Sequence, residues 1–179
     1  MDKYCYTVTF GVDQFTGEVL TQAEDILAKK FFLTMVYGGD FRPPLMQARD
    51  GQLLADGMLY HLSKIRPPEA VAGLGITPLD IYSDGLNFVF GIASPLVRNA
   101  IVSYNRLLTS DKELFISRVR KEITHEMGHV FGLEHCSYPG CVMNFSNSVY
   151  EVDLKSEDFC PSCKRKLLEA LKNLGVVNI

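Results

Sequence analysis

At 179 residues, the chain suits one domain over residues 1–179, with a core large enough to need no disulfide staples. A net charge of −3 from 18 basic and 21 acidic residues, with no long run of lysine or arginine, argues against nucleic acid as a main partner. No apolar run approaches the roughly 18 residues of a membrane span, and the alternating start Tyr4-Cys5-Tyr6-Thr7-Val8 is unlike a leader peptide, so a cytoplasmic protein without membrane contact is expected.

In chain order, Tyr4 to Val12 alternates apolar and small polar residues and reads as a strand, Glu18 to Phe31 has helical periodicity, and Phe32 to Tyr37 reads as a second strand. This is the β-α-β opening of an α/β layer. Gly38-Gly39-Asp40-Phe41-Arg42-Pro43-Pro44 breaks the pattern, and a helix from about Gly51 to Ile65 ends at Pro67-Pro68. Three strand candidates follow: Ala70 to Ile81, Asn87 to Ala93 and Ala100 to Arg106, separated by Ser83-Asp84-Gly85 and by Ser94-Pro95. Ser110 and Glu113 match a capping box, opening a helix of about twenty residues in which Phe115, Ile116, Val119, Ile123, Met127 and Val130 share one face.

That helix runs into His125-Glu126-Met127-Gly128-His129-Val130-Phe131-Gly132-Leu133-Glu134-His135, which holds three of the four histidines. Residues four apart share a helix face, so His125 and His129 can point at one ion. A continuing helix would carry His135 roughly 15 Å along the axis from His125, far beyond a ligand bond of about 2.0 to 2.1 Å. Gly132 permits the left-handed turn that brings His135 back as a third ligand. Glu126 lies about 100° round the helix from His125, beside a metal rather than on it, where a general base belongs. Three neutral imidazoles leave zinc a fourth position for water, whose pKa falls to about 7 in such surroundings. One turn earlier, Glu122 either orients a ligand histidine or is a solvated surface charge. His61, on the earlier helix, reads as a surface or partly buried residue and not as a ligand.

Of five cysteines, Cys5 stands alone in the first strand as a buried thiol. Cys136 and Cys141 form C-x4-C and Cys160 and Cys163 form C-x2-C, the spacing of a structural four-cysteine zinc site. Two disulfides are the other reading of these pairs, disfavoured by an intracellular setting. Because Cys136 follows His135, one peptide bond can join two zinc sites, the second pinning the segment that carries the third histidine.

These motifs, with Cys141-Val142-Met143, Phe159-Cys160-Pro161-Ser162-Cys163 and Asn87-Phe88-Val89-Phe90-Gly91-Ile92-Ala93, resemble the archaemetzincins, or archaelysins, of the metzincin clan of zinc peptidases, over roughly residues 70 to 170. The resemblance implies an α/β (α+β) zincin-like fold: a mixed twisted sheet packed on helices, with the cleft between the active-site helix and an edge strand. It implies His125, His129 and His135 on a catalytic zinc, Glu126 as base, and Cys136, Cys141, Cys160 and Cys163 on a structural zinc. Met143, which the residues alone make ordinary core, becomes the methionine of the Met-turn. Phe145 stands where some other metzincins carry a ligating tyrosine, so no tyrosine switch is expected.

The expected activity is hydrolysis of peptide bonds by zinc-bound water, with two zinc ions per monomeric chain and a peptide or small protein as substrate. Two readings from other classes stand beside it. One is a catalytically silent module with two structural zinc ions, marked by a fourth protein ligand at the histidines. The other is a nucleic-acid-binding finger using the cysteines with Lys164, Arg165 and Lys166, charges that more simply solvate the last helix.

Overall fold

Alternation along the first strand, β1 (Tyr4–Phe10), turns Cys5 to one face of a sheet and Val8 and Phe10 to the other, and separate apolar cores form on the two faces. The computed structural model describes residues 2–178 of the chain. β1 is followed by α1 (Thr16–Phe31) and β2 (Thr34–Phe41), then by the two-residue β3 (Leu53–Leu54) and α2 (Ala55–Ile65). Next come β4 (Ala72–Thr77), β5 (Ile81–Tyr82), β6 (Gly91–Ser94), β7 (Asn99–Ser103) and a 3-10 turn at Asn105–Leu107. The chain ends with α3 (Lys112–Val130), α4 (Val149–Leu154) and α5 (Pro161–Asn173).

The main sheet has the order β2-β1-β4-β7-β6, and β3 pairs separately with β5. Its first four strands are parallel to one another, while β6 runs antiparallel to β7 and forms an edge. α1 and α3 cover one face, where Ile26, Leu27, Leu74, Val102, Ile123 and Met127 join the larger core. α2 covers the other, where Met58 and Leu62 meet Val8, Phe10 and Ile101. The mixed sheet with helices on both sides is the α/β class expected from the β-α-β pattern.

Several boundaries differ from the sequence reading. Phe32 does not begin β2; it closes α1 in the left-handed conformation, with φ 56°. Gly38 and Gly39 do not end β2, because the pairing with β1 absorbs them in a bulge opposite Thr7 and Val8. The single strand expected over Ala70 to Ile81 is split into β4 and β5, since Pro78 cannot donate to a ladder and the Thr77 hydroxyl caps β4 by donating to the Phe10 carbonyl at 2.6 Å. Asp111 rather than Ser110 caps α3, accepting from the Leu114 amide at 3.2 Å; the expected box is not formed, because leucine stands three residues after this cap where the box needs a glutamate. The helix over Gly51 to Ile65 begins only at Ala55, because Leu53 and Leu54 pair with β5. The final strand candidate, Ala100 to Arg106, ends at Ser103 and passes into the 3-10 turn. His61 is half-buried against the rings of Phe10 and Phe41 and does not join the group formed by the other three histidines.

Ile26 is fully buried and Leu96 is 91% exposed. Ile26→Ala should cost about 2–5 kcal/mol in urea unfolding, as deletion from a packed core does, whereas Leu96→Ala should stay within about 0.5 kcal/mol.

Candidate active site

Helix α3 supplies His125 and His129 on one face, then stops where Gly132 takes φ 93°. The amide of Leu133 returns to the Gly128 carbonyl at 3.0 Å, a closure that reverses the chain and carries His135 back over the last turn. The three rings meet with centroids 4.7, 4.9 and 5.4 Å apart, and one nitrogen from each lies within 4.8 Å of the others. Among the described residues no fourth histidine, cysteine or carboxylate joins this group. The silent-module reading had required one.

Two main-chain carbonyls set the ring orientations. His125 Nδ1 lies 2.8 Å from the Val142 carbonyl and His129 Nδ1 lies 2.7 Å from that of Leu133. A carbonyl can only accept, so each Nδ1 carries the proton and each Nε2 presents a lone pair. Those two Nε2 atoms face each other at 3.2 Å. Without a cation that approach is repulsive. Ligands bonded at about 2.0–2.1 Å in a tetrahedron sit about 3.3–3.4 Å apart, so the donor set fits zinc. Burial, reinforced by the Lys155 ammonium, pulls the His125 pKa down to about 3, and burial also lowers those of His129 and His135. All three are thereby held neutral, the form that ligates.

Glu126 is buried one residue past His125, and desolvation with the nearby Glu122 raises its pKa to about 8. A dication at the imidazoles would draw it down again. Met143 is fully buried, with its sulfur against Gly128, where a Cβ would stand only 2.6 Å from Sδ. Gly128, the first glycine of the motif segment, is therefore a seat for this thioether. Phe145 packs edge-on against the exposed ring of His135, with centroids 5.2 Å apart.

The histidines and Glu126 open into a cleft of about 520 Å³ between α3 and β6, with apolar walls from Phe88, Val89, Ile92 and Phe145. The loop before β6 is pinned from behind. Arg49 donates to the carbonyls of Leu86 at 3.0 Å and Asn87 at 2.9 Å, and Arg106, paired with Asp80, lies over the Phe88 ring at 4.0 Å. The strand β6 itself spans Gly91–Ser94, shorter than the expected Asn87 to Ala93, and Val89 before it makes an isolated bridge to Ile81.

Cys136, Cys141, Cys160 and Cys163 are also gathered, all unbridged, with sulfurs within 4.8 Å of one another. Cys136 and Cys160 Sγ lie 3.8 Å apart, which is about the spacing of two sulfurs bonded at 2.3 Å in a tetrahedron. Main-chain amides point at the sulfurs, including Cys160 N–H to Cys141 Sγ at 3.3 Å and Cys163 N–H to Cys160 Sγ at 3.5 Å. The latter bond, at the N-terminus of α5, draws the Cys160 thiol down to about 7.

Two participants were not legible, or only partly so, in the sequence. Glu122, left open between two roles, is buried and not a solvated charge. Its partner Lys155 was missed altogether; thirty residues from His125 and in no motif, it carries no local signal. The carbonyls of Val142 and Leu133 lie within quoted motifs, but a main-chain group leaves no mark in a sequence.

The family model described as Peptidase family M54 matches residues 7–169. The chain is 45% identical over 166 residues to the archaemetzincin of Thermococcus kodakarensis, covering 89% of this chain and 82% of that protein. The crystal structure of archaemetzincin from Methanopyrus kandleri superposes with a TM-score of 0.88 and 38% identity over 96% of each chain. That from Archaeoglobus fulgidus, complexed with malonate, gives 0.79 and 39% over 91% of this chain and 99% of its own.

The raised pKa of Glu126 fixes the sign of a pH effect in protein stripped of any ion at the histidines. The folded state holds a proton that the unfolded state releases near 4.5, so stability is lost as pH rises from about 4.5 towards about 8. Glu126→Gln should therefore stabilise the stripped protein at pH 8 and give no such gain below pH 4.5, as measured by urea unfolding across that range.

Proposed function

Because the chain belongs to peptidase family M54, a family of zinc metallopeptidases, we propose that it hydrolyses peptide bonds at the three-histidine site with Glu126 as the general base. The observation that carries this reading is the pair of facing Nε2 atoms at 3.2 Å, fixed by carbonyls behind them and opening beside a buried carboxylate into a cleft. His125, His129 and His135 would hold the catalytic zinc, and Cys136, Cys141, Cys160 and Cys163 a structural one. The unbridged thiols support a reducing, cytoplasmic setting.

Zinc bound by the imidazoles supplies Lewis acidity, polarising the scissile carbonyl and lowering the pKa of water. The chain supplies the rest. Glu126 takes a proton from the attacking water and delivers it to the leaving amine as the C–N bond breaks, and its burial keeps that proton from being lost to solvent. Val142 and Leu133 hold the rings so that no reorganisation is needed as charge develops. Met143, seated on Gly128, supports the helix turn that bears His129.

β6 is the sheet edge beside this centre, suited to pairing with an extended peptide. The Ser103 amide donates to the Phe90 carbonyl, so in antiparallel pairing Phe90 and Ile92 turn their main-chain groups to β7, while Gly91 and Ala93 turn theirs outward. A proline test thus belongs at Ala93, where the ladder is spared, and not at Phe90 or Ile92.

Digestion of a peptide library, read by mass spectrometry, should show cleavage by the parent and a loss of about two to four orders of magnitude for Glu126→Gln, which should keep two zinc ions per chain by elemental analysis. Full activity in Glu126→Gln would remove the carboxylate from the mechanism. Ala93→Pro should raise KM about fivefold to tenfold with zinc content unchanged, the loss of one substrate hydrogen bond; an unchanged KM would show that the edge does not bind substrate.

A further inference from the structure

The proposed reaction gives no task to two charged groups at the centre, Glu122 and Lys155. Their side chains are 6% and 2% exposed, and Lys155 Nζ lies 3.1 Å from Glu122 Oε2 as an ion pair. Lys155 also donates to the Asn144 carbonyl at 3.2 Å and approaches His125 Nδ1 to 3.5 Å. That nitrogen donates its N–H to the Val142 carbonyl, so the ammonium flanks the ring instead of bonding to it.

A closed circuit results. Glu122 stands three residues before His125 on α3; His125 is oriented by the Val142 carbonyl; Val142 belongs to the turn that continues to Asn144; and Lys155 joins the Asn144 carbonyl back to Glu122. We propose that Glu122 and Lys155 are positioning residues, locking the active-site helix to the Val142–Asn144 turn so that the His125 ring is held at its metal-binding angle. This rests on the reading of the three histidines as a zinc site.

Anchoring the Lys155 segment does not by itself call for the pair. Arg118 grips Asp153 with bonds of 2.9 and 2.8 Å, Arg120 holds Glu157 at 2.9 Å, and Lys121 donates to the Val152 carbonyl at 3.1 Å, all from the same helix. Nor is a buried ion pair a general device for stability, since well-packed neutral replacements often serve as well. What sets the pair apart is that Lys155 comes within 3.5 Å of the His125 ring nitrogen. Groups that orient a metal-bound imidazole are typically worth tenfold to a hundredfold in metal affinity.

The test is the double variant Glu122→Gln with Lys155→Met, which leaves no buried charge unpaired. Cobalt(II) is titrated into the three-histidine site, with zinc retained by the four cysteines, and both affinity and the visible absorption bands are compared with the parent. Cobalt affinity should fall about tenfold to a hundredfold and the bands should shift, while the melting temperature and cysteine-bound zinc are kept. A folded double variant with the parent's affinity and spectrum overturns the proposal. Should the double variant fail to fold, Glu122→Gln alone decides by the same readings. A parent that binds cobalt at the histidines yet cleaves no peptide counts against the hydrolytic mechanism and leaves this comparison standing. A parent that binds no metal there overturns both.

Discussion

Two nitrogen lone pairs facing each other at 3.2 Å are the constraint to which the rest of the centre answers. They repel unless a cation lies between them, and the fold holds them there by accepting a hydrogen bond from each ring's Nδ1–H with a main-chain carbonyl. Each carbonyl has its own support. Leu133 is presented by the reversal at Gly132, and Val142 by a turn whose next residue, Met143, is seated on Gly128. The burial of α3 over residues 121 to 128 follows from this arrangement, for the sheet lies on one side and the 141–158 segment closes the other. An ordinary amphipathic helix would have left the second side in water.

His135 and Cys136 give the two clusters a common backbone. His135 is exposed and lies outside any helix or strand, so its position comes from its neighbour. The Cys136 amide donates to the Met143 carbonyl at 3.0 Å, and the Asn144 side chain donates to the Cys136 carbonyl at 2.6 Å. Four sulfurs drawn to one ion would add a third constraint on the same residue. A site of closed coordination is well suited to this, because its ligands are consumed by structure and leave no position for chemistry.

Much of this was legible in the sequence because the signals were local. The spacing of His125, His129 and His135 around Gly132, and of two close cysteine pairs, states which atoms converge with no knowledge of the fold. The β-α-β opening was equally plain from periodicity. Strand ends were less so: Gly38-Gly39 resembles a break yet lies within β2, because a bulge in the partner's register accommodates it, and register is a property of two strands. Lys155 was hidden for a deeper reason. A lysine in a charged segment reads as solvated, and only the closing of the chain over α3 turns it into a buried cation beside a histidine.

The sheet has two edges of opposite character. β2 is kinked by its bulge and carries Asp40 turned back to Thr9 and the Gly11 amide, a form that discourages another strand from joining. β6 is regular, but only four residues long and followed at once by Pro95. An open edge is ordinarily an aggregation hazard, and here its length limits the hazard: two copies meeting edge to edge would gain few hydrogen bonds, whereas a short extended peptide loses little by the same brevity. The strand is thus long enough to be read by a guest and too short to be shared by its twin.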